Sequence, residues 1–275
     1  MWVTELTLIS VPFSVSCVDC FLIPLFIWTD VDGILIADPR LVPDAVTIPE
    51  VSYQEVAEFA YFGAKVLHPK AIRPLLKFRT SVWIRNTFSP ERPGTKIVPE
   101  RKIETTNGVT GLTAMRNVVL VTVSGPGIVV TTDALSRAAA ATAAMQAEIV
   151  MISQSFTQNK ISFVMPSSGL EIALEALQRE FSRNLEYEKA THISVNTKVA
   201  ILTAVVQTTS AVKGIPDRIF GVLLRESINV LAFTQGASEC ALSFLLALDD
   251  IDRALLPMHR EFQLGARQRQ AQART

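Results

Sequence analysis

The chain is poor in cysteine and histidine, modest in charge, and carries no excess of either sign. Three cysteines in 275 residues (Cys17, Cys20, Cys240) cannot frame a disulfide scaffold and fit a reducing compartment, so a cytoplasmic location is expected. Lys plus Arg is 26 and Asp plus Glu is 26, a zero net charge that excludes a dominant nucleic-acid surface. His68, His192 and His259 are scattered, and the CxxC spacing of Cys17 and Cys20 has no second pair to complete a zinc set, so no metal site is expected. The first 26 residues contain no Gly, Lys or Arg. They therefore lack both the material of a glycine-rich phosphate cradle and the basic flank of a signal peptide or membrane anchor. With 49% hydrophobic residues, 12 Gly and 14 Pro, the composition excludes a disordered or collagen-like chain.

What is present sorts into stretches of different texture. The run LTLISVPFSVSCVDCFLIPLFIW at 6–28 carries a single charge, Asp19. Pro12, Pro24 and Asp19 interrupt it, which argues against a membrane span and for buried strands; residues 1–26 are set apart as an apolar leader. Ser52 with Glu55 has capping-box spacing ahead of Val56, Phe59 and Ala60, so a helix is expected over 53–62, ended by Gly63. Pro69 opens another helix, with His68 at its start. Residues 80–86 read as a strand, 86–96 as a turn-rich exit, and 100–116 as a linker.

Beyond that linker one pattern occurs twice. An apolar strand at 118–124 precedes an alanine-rich helix at 133–146 and strands at 149–155 and 160–165. Ser168 and Glu171 have capping-box spacing and open a helix with Leu170, Ala173, Leu174, Leu177 and Phe181 on one face. The order recurs as a strand at 198–206, a helix at 216–226, strands at 229–235 and 241–248, and a helix at 250–263 bearing Ile251, Leu255, Met258 and Phe262 at helical spacing. IVMISQSFTQNKISFVM at 149–165 stands against VLAFTQGASECALSFLL at 230–246. Two small βαββαβ units are implied, at 117–196 and 197–265, followed by a disordered tail, 266–275. Units of this kind expose sheet edges, so edge association or dimerisation is expected.

Four further runs, WTDVDGILIADPRLVPDA (28–45), EVSYQEVAEFAYFGAKVLHP (50–69), NTFSPERPGT (86–95) and NGVTGLTAMRNVVLVTVSGPG (107–127), resemble the aspartate kinase family in this order. The resemblance continues through both repeats and covers roughly residues 27–265. It implies an α/β and α+β chain: a truncated C-terminal part of an amino-acid kinase domain at 27–99, then tandem ACT (ferredoxin-like) domains. Members of the family transfer the γ-phosphoryl group of MgATP to the β-carboxylate of L-aspartate, and their ACT domains bind an inhibitory end-product amino acid.

By that resemblance Thr29, Asp30, Arg40 and Lys65 belong to the nucleotide-binding half of a site for ATP with Mg, a partial site only. On residue type alone, Lys65 is equally a solvated lysine near a helix end, Asp30 and Asp32 ordinary turn residues, and Arg40 a partner for Asp38 or Asp44. Leu35 stands where an aromatic beside the nucleotide is usual in the family. The family's lysine- and glycine-bearing phosphate loop and its G-R-G-G-S-D segment do not occur, so the chain alone is expected to be inactive and no catalytic residue is assigned. For the effector, threonine or lysine, the resemblance implies Gln154 and Gln235 at strand ends, with Glu148 and Asn229 at matching places before the second strand of each repeat. Phe156 and Gln158 depart from the usual small hydroxyl and Glu of the first loop, which weakens an ammonium site there. The expected role is a regulatory chain, either a homodimer through its ACT domains or a partner of a full-length aspartate kinase. The alternatives are a competent aspartate kinase completed by another chain and a stand-alone amino-acid-binding module.

Overall fold

The computed structural model describes residues 25–63, 81–101, 108–125, 131–144, 146–155, 157–181, 192–207, 214–236 and 238–265. The leader as far as residue 24, both of its cysteines, the helix expected at Pro69, Lys65 and the tail lie outside the described residues.

The N-terminal portion is a four-stranded sheet in the order β1-β3-β4-β2, formed by β1 (Leu25–Thr29), β2 (Glu50–Ser52), β3 (Val82–Asn86) and β4 (Thr95–Val98). β1 and β3 run parallel, as do β2 and β4, while β3 and β4 are antiparallel. Helix α1 (Tyr53–Tyr61) starts on the expected capping box: the Glu55 amide donates to Ser52 Oγ (3.2 Å) and the Ser52 amide to Glu55 Oε2 (2.7 Å). Each bond satisfies an amide that the first helical turn would leave without a partner.

The two repeats form one antiparallel six-stranded sheet, ordered β6-β7-β5-β8-β10-β9. Its strands are β5 (Val109–Ser124), β6 (Met151–Ser155), β7 (Lys160–Pro166), β8 (His192–Val206), β9 (Ala232–Gln235) and β10 (Ala241–Ala247). Helices α2 (Thr131–Ala144) and α3 (Leu170–Phe181) serve the first repeat, and α4 (Ile215–Arg225) and α5 (Asp250–Glu261) the second.

The long central strands belong to both repeats. The C-terminal half of β5 pairs with β7 and with the start of β8, whereas its N-terminal half, Val109 to Met115, pairs with residues 201–206 at the end of β8. Each repeat is thus closed by a strand continuous with the other's first strand. The expected linker 100–116 is corrected accordingly: residues 109–116 are sheet. Register shifts at Met115, Val118 and Leu120 mark the crossover between the two halves. A second correction concerns Ser168, which lies in a 3-10 turn (Ser167–Gly169) running straight into α3. It is not the extended N-cap residue that a capping box requires.

Phe62, at the end of α1, packs among Val118, Met151, Val199 and Leu245 on the sheet face opposite the repeat helices, whereas the rest of the N-terminal portion joins the core of the second repeat and its helices. Phe59, Val56 and Ile36 share one core with Leu202, Phe244 and Leu255 of the second repeat, while Val121, Phe163 and Leu177 form a separate core in the first. Two glycines set the contact distance. A Cβ on Gly111 would lie 2.7 Å from the Ile36 carbonyl oxygen and 2.8 Å from the Phe59 ring. Gly63, at φ +127°, would bring one within 2.7 Å of the Ala114 carbonyl oxygen. Glu55, fully buried, ties the two parts together by accepting from Arg101 (3.2 Å) and the Thr110 hydroxyl. Among the described residues no helix is long and apolar enough to cross a membrane.

Candidate nucleotide and effector sites

The parallel strands β1 and β3 end side by side, Thr29 opposite Asn86, and the Thr87 amide donates to the Thr29 carbonyl (2.8 Å). In α/β sheets ligands bind at the carboxyl ends of such strands. The polar groups gathered here are Thr29, Asp30, Asp32, Asn86 and Arg92. The Thr29 hydroxyl donates to Asp30 (3.1 Å), and Asp32 accepts from Asn86 Nδ2 (2.7 Å) and from the Arg92 guanidinium. Two of the expected nucleotide residues, Thr29 and Asp30, lie at the carboxyl end of β1. Asn86 and Arg92, both in the NTFSPERPGT motif, join this cluster and were not among the expected residues.

Arg40 is engaged elsewhere. Its Nε donates to both oxygens of Asp38 (2.9 and 3.1 Å), and this guanidinium holds the Asp38 carboxyl below the ordinary carboxylate range, with Arg116 adding a smaller pull. Arg116 itself pairs with Asp252 of α5, so Arg40 belongs to a charge row at the seam with the second repeat. The sequence had left this pairing open as the ordinary alternative.

These groups do not fit a triphosphate by themselves. The described cluster offers carboxylates and a hydroxyl, and its cation, Arg92, is bound to Asp32. Among the described residues no group of three or more His, Cys, Asp or Glu is placed to hold a metal ion. Phosphate donors and a full Mg site would have to come from outside the described residues, Lys65 being the expected cation.

The four expected effector residues fall into two groups at opposite edges of the six-stranded sheet. Gln154 is the last residue but one of the edge strand β6, with Glu148 ahead of that strand; Gln235 ends the other edge strand, β9, with Asn229 before it. All four are exposed. The structure therefore keeps the expected effector residues in two separate groups and does not bring them together. Glu148 accepts a hydrogen bond from Tyr61 at the end of α1, whose hydroxyl burial, with Glu148 second, pushes up to about 12. That contact joins the first repeat's edge loop to the N-terminal portion, and its partners are too distant in sequence for pattern reading to find.

Comparison with known proteins matches this division. The Amino acid kinase family profile matches residues 24–86, and the ACT domain profile matches 121–181 and 203–262. A chloroplastic bifunctional aspartokinase/homoserine dehydrogenase of Daucus carota is 34% identical over 245 residues, which are 87% of this chain and 27% of that protein. The chain thus spans about a quarter of that relative's length. Among solved structures, aspartate kinase of Clostridium acetobutylicum is similar with a TM-score of 0.76 at 25% identity, over 87% of this chain and 54% of that one. E. coli aspartokinase III in complex with aspartate and ADP, in its R-state, gives a TM-score of 0.72 at 26% identity, over 86% and 51%. With the kinase motifs on the four-stranded sheet and both repeats on the six-stranded one, the chain belongs to the aspartate kinase family.

Proposed function

We propose that this chain is the amino-acid-sensing regulatory part of an aspartate kinase, binding threonine or lysine and acting on the conversion of ATP and L-aspartate to 4-phospho-L-aspartate. The observation that carries this reading is the shared pair β5 and β8, which makes the two repeats one sheet, with the end of α1 seated on its reverse face. Phe62 packs among Val118, Met151, Val199 and Leu245, and its carbonyl accepts from the Thr113 hydroxyl (3.1 Å). A change at either sheet edge then has a packed route to the N-terminal portion, because close-packed cores transmit displacement. Gln235 with Asn229, and Gln154 with Glu148, are the effector half-sites. Each is completed by the edge of another ACT domain, in a homodimer or on a full-length aspartate kinase. The working compartment is the cytoplasm.

Isothermal titration with threonine, lysine and methionine tests this reading. One of the first two is expected to bind, and Gln235→Ala is expected to weaken it about ten-fold, the loss of one or two hydrogen bonds. No heat from any of the three sinks the sensing role.

The cluster at the ends of β1 and β3 favours a second reading, a competent kinase completed by another chain. Co-expression with a full-length aspartate kinase, followed by hydroxamate formation compared between wild type and Lys65→Ala, separates the two. Dependence on Lys65 favours catalysis by this chain; indifference to it favours the regulatory reading.

A further inference from the structure

The turn that follows Gln235 also touches α1. Gln235 ends β9 and pairs with Leu242 of β10, and the turn between the strands is closed by its own hydrogen bonds. The Gly236 amide donates to the Ala241 carbonyl (2.9 Å), the Glu239 amide to the Gly236 carbonyl (3.0 Å) and the Cys240 amide to Ser238 Oγ (3.2 Å). Glu239 sits in the left-handed region (φ 59°), which a residue with a side chain seldom adopts, so these bonds rather than local preference hold the shape. Cys240 is buried and fixes the turn to the end of β8, its carbonyl accepting from the Val206 amide (2.9 Å). A displacement of Gln235 therefore reaches Cys240 along a short, hydrogen-bonded path.

The Cys240 thiol has one proton and lies within reach of two acceptors. Its Sγ is 3.3 Å from the Gln207 carbonyl oxygen, in its own repeat, and 3.7 Å from Gln54 Oε1, on the first turn of α1. Burial pushes the thiol up to about 11, so at neutral pH it keeps that proton and acts as a donor. Next to Gln54, the fully buried Glu55 accepts from the Thr110 hydroxyl near the start of β5, so a change at Gln54 meets a helix turn already joined to the sheet. In the first repeat Asn159 stands at the place of Cys240, and its carbonyl accepts from the Gly125 amide (3.3 Å). The thiol contact thus belongs to the repeat that shares its core with the N-terminal portion. We propose, on the reading that the repeats sense an amino acid, that Cys240 is a positioning residue: occupancy around Gln235 shifts the thiol proton between the Gln207 carbonyl and Gln54, and the latter arrangement ties the turn to α1. A thiol is a weak donor, so the two arrangements lie close in free energy and a small displacement decides between them. Coupling between a binding site and a distant element needs such a two-state contact.

The test uses the full chain carrying Cys17→Ser and Cys20→Ser, so that the sulfhydryl stretch in the infrared reports Cys240 alone. Threonine and lysine are the probes, with titration calorimetry on the same samples. Binding is expected to move the sulfhydryl band and to slow hydrogen exchange over residues 53–62 about five-fold, the lower end of ordinary allosteric coupling. Gln54→Leu, at a side chain exposed to solvent, is expected to keep the heat of binding, to hold the band at one position with and without the amino acid, and to remove most of the slowing. A band that still moves or exchange that still slows in Gln54→Leu overturns the proposal, as does binding that leaves the wild-type band in place; in each case the sensing reading stands. No heat from either amino acid overturns both.

Discussion

The two repeats superpose residue for residue along the chain, yet they are built to different standards. The Thr122 and Ser162 hydroxyls meet at 2.9 Å across β5 and β7, and Thr203 and Ser243 meet at the same distance across β8 and β10. Arg137 grips Glu180 and lies over Phe181; Arg218 grips Glu261 and lies over Phe262. Even the turns after α2 and α4 match, with Gln146 at φ 57° and Ser227 at φ 55°. Against this regularity, α2 reads TTDALSRAAAATAA and α4 reads IPDRIFGVLLR. Ala134 and Ala138 stand where the second repeat has Ile215 and Ile219, all four buried. Small side chains give the first repeat less apolar contact, at about 0.8 kcal/mol for each buried methylene. The second repeat, sharing its core with the N-terminal portion, is the mechanical base; the first is the more easily deformed half.

The largest effect that can break this comparison is a core truncation. Phe163 and Phe244 are matched and fully buried. Phe244 also stacks with Phe233 (4.9 Å) and Phe220 (5.3 Å) and belongs to the shared core. Phe244→Ala is expected to cost about 5 kcal/mol and Phe163→Ala about 3 kcal/mol. Urea unfolding followed by Trp28 and Trp83 fluorescence should shift for the first far more than for the second. Equal shifts would make the two repeats a single cooperative unit and end the distinction.

A smaller effect should run the other way. Glu261 keeps Arg225 (2.8 Å) when Arg218 is removed, whereas Glu180 loses the guanidinium that holds it when Arg137 is removed. Both clamps are partly exposed, so screening limits either loss to about 1 kcal/mol. Arg137→Ala is expected to lower the melting temperature more than Arg218→Ala, and the order should persist in a background with Arg225→Ala only if Arg225 is not the compensating group.

How much of this was legible depended on how local each cause is. The α1 capping box needs only Ser52 and Glu55, and it was readable at once. The duplication was readable because the loop between paired strands has one length in both copies. The N-terminal half of β5 was hidden: Gly111 breaks its apolar texture, Arg116 and Asn117 look like a boundary, and its partner strand lies far along the chain at 201–206. Its stability comes from non-local pairing, which composition within a window cannot register. The polar cluster at the ends of β1 and β3 was half legible. Thr29 and Asp30 follow a strand in the family motif, but Asp32 joined to Asn86 and Arg92 requires knowing that β1 and β3 are neighbours. Placing Gln154 and Gln235 at opposite edges likewise needed the strand order, not the strands.

The smallest effect is in alkaline titration, and it separates the repeats by one position. Glu148 faces Tyr61, while the matching residue of the second repeat is Asn229, which carries no charge. Burial, then Glu148, lifts the Tyr61 hydroxyl from its ordinary value near 10 to about 12. Burial lifts the Cys240 thiol, which donates to the Gln207 carbonyl oxygen, from 9 to about 11. Both groups keep their protons longer in the folded chain than in the unfolded one, so the unfolded chain loses them first as pH rises. Their contribution is complete below pH 9 for the thiol and below pH 10 for the phenol, and it is lost as pH climbs through 11 and 12. The ultraviolet difference spectrum between wild type and Tyr61→Phe isolates this phenol from Tyr53 and Tyr187. Glu148→Gln is expected to lower its midpoint below about 12 while leaving it above 10, since burial is the larger cause and remains. Asn229→Asp is expected to leave the midpoint unmoved. A midpoint indifferent to Glu148→Gln would cut the first repeat's edge loop off from α1, and with it this asymmetry between the repeats.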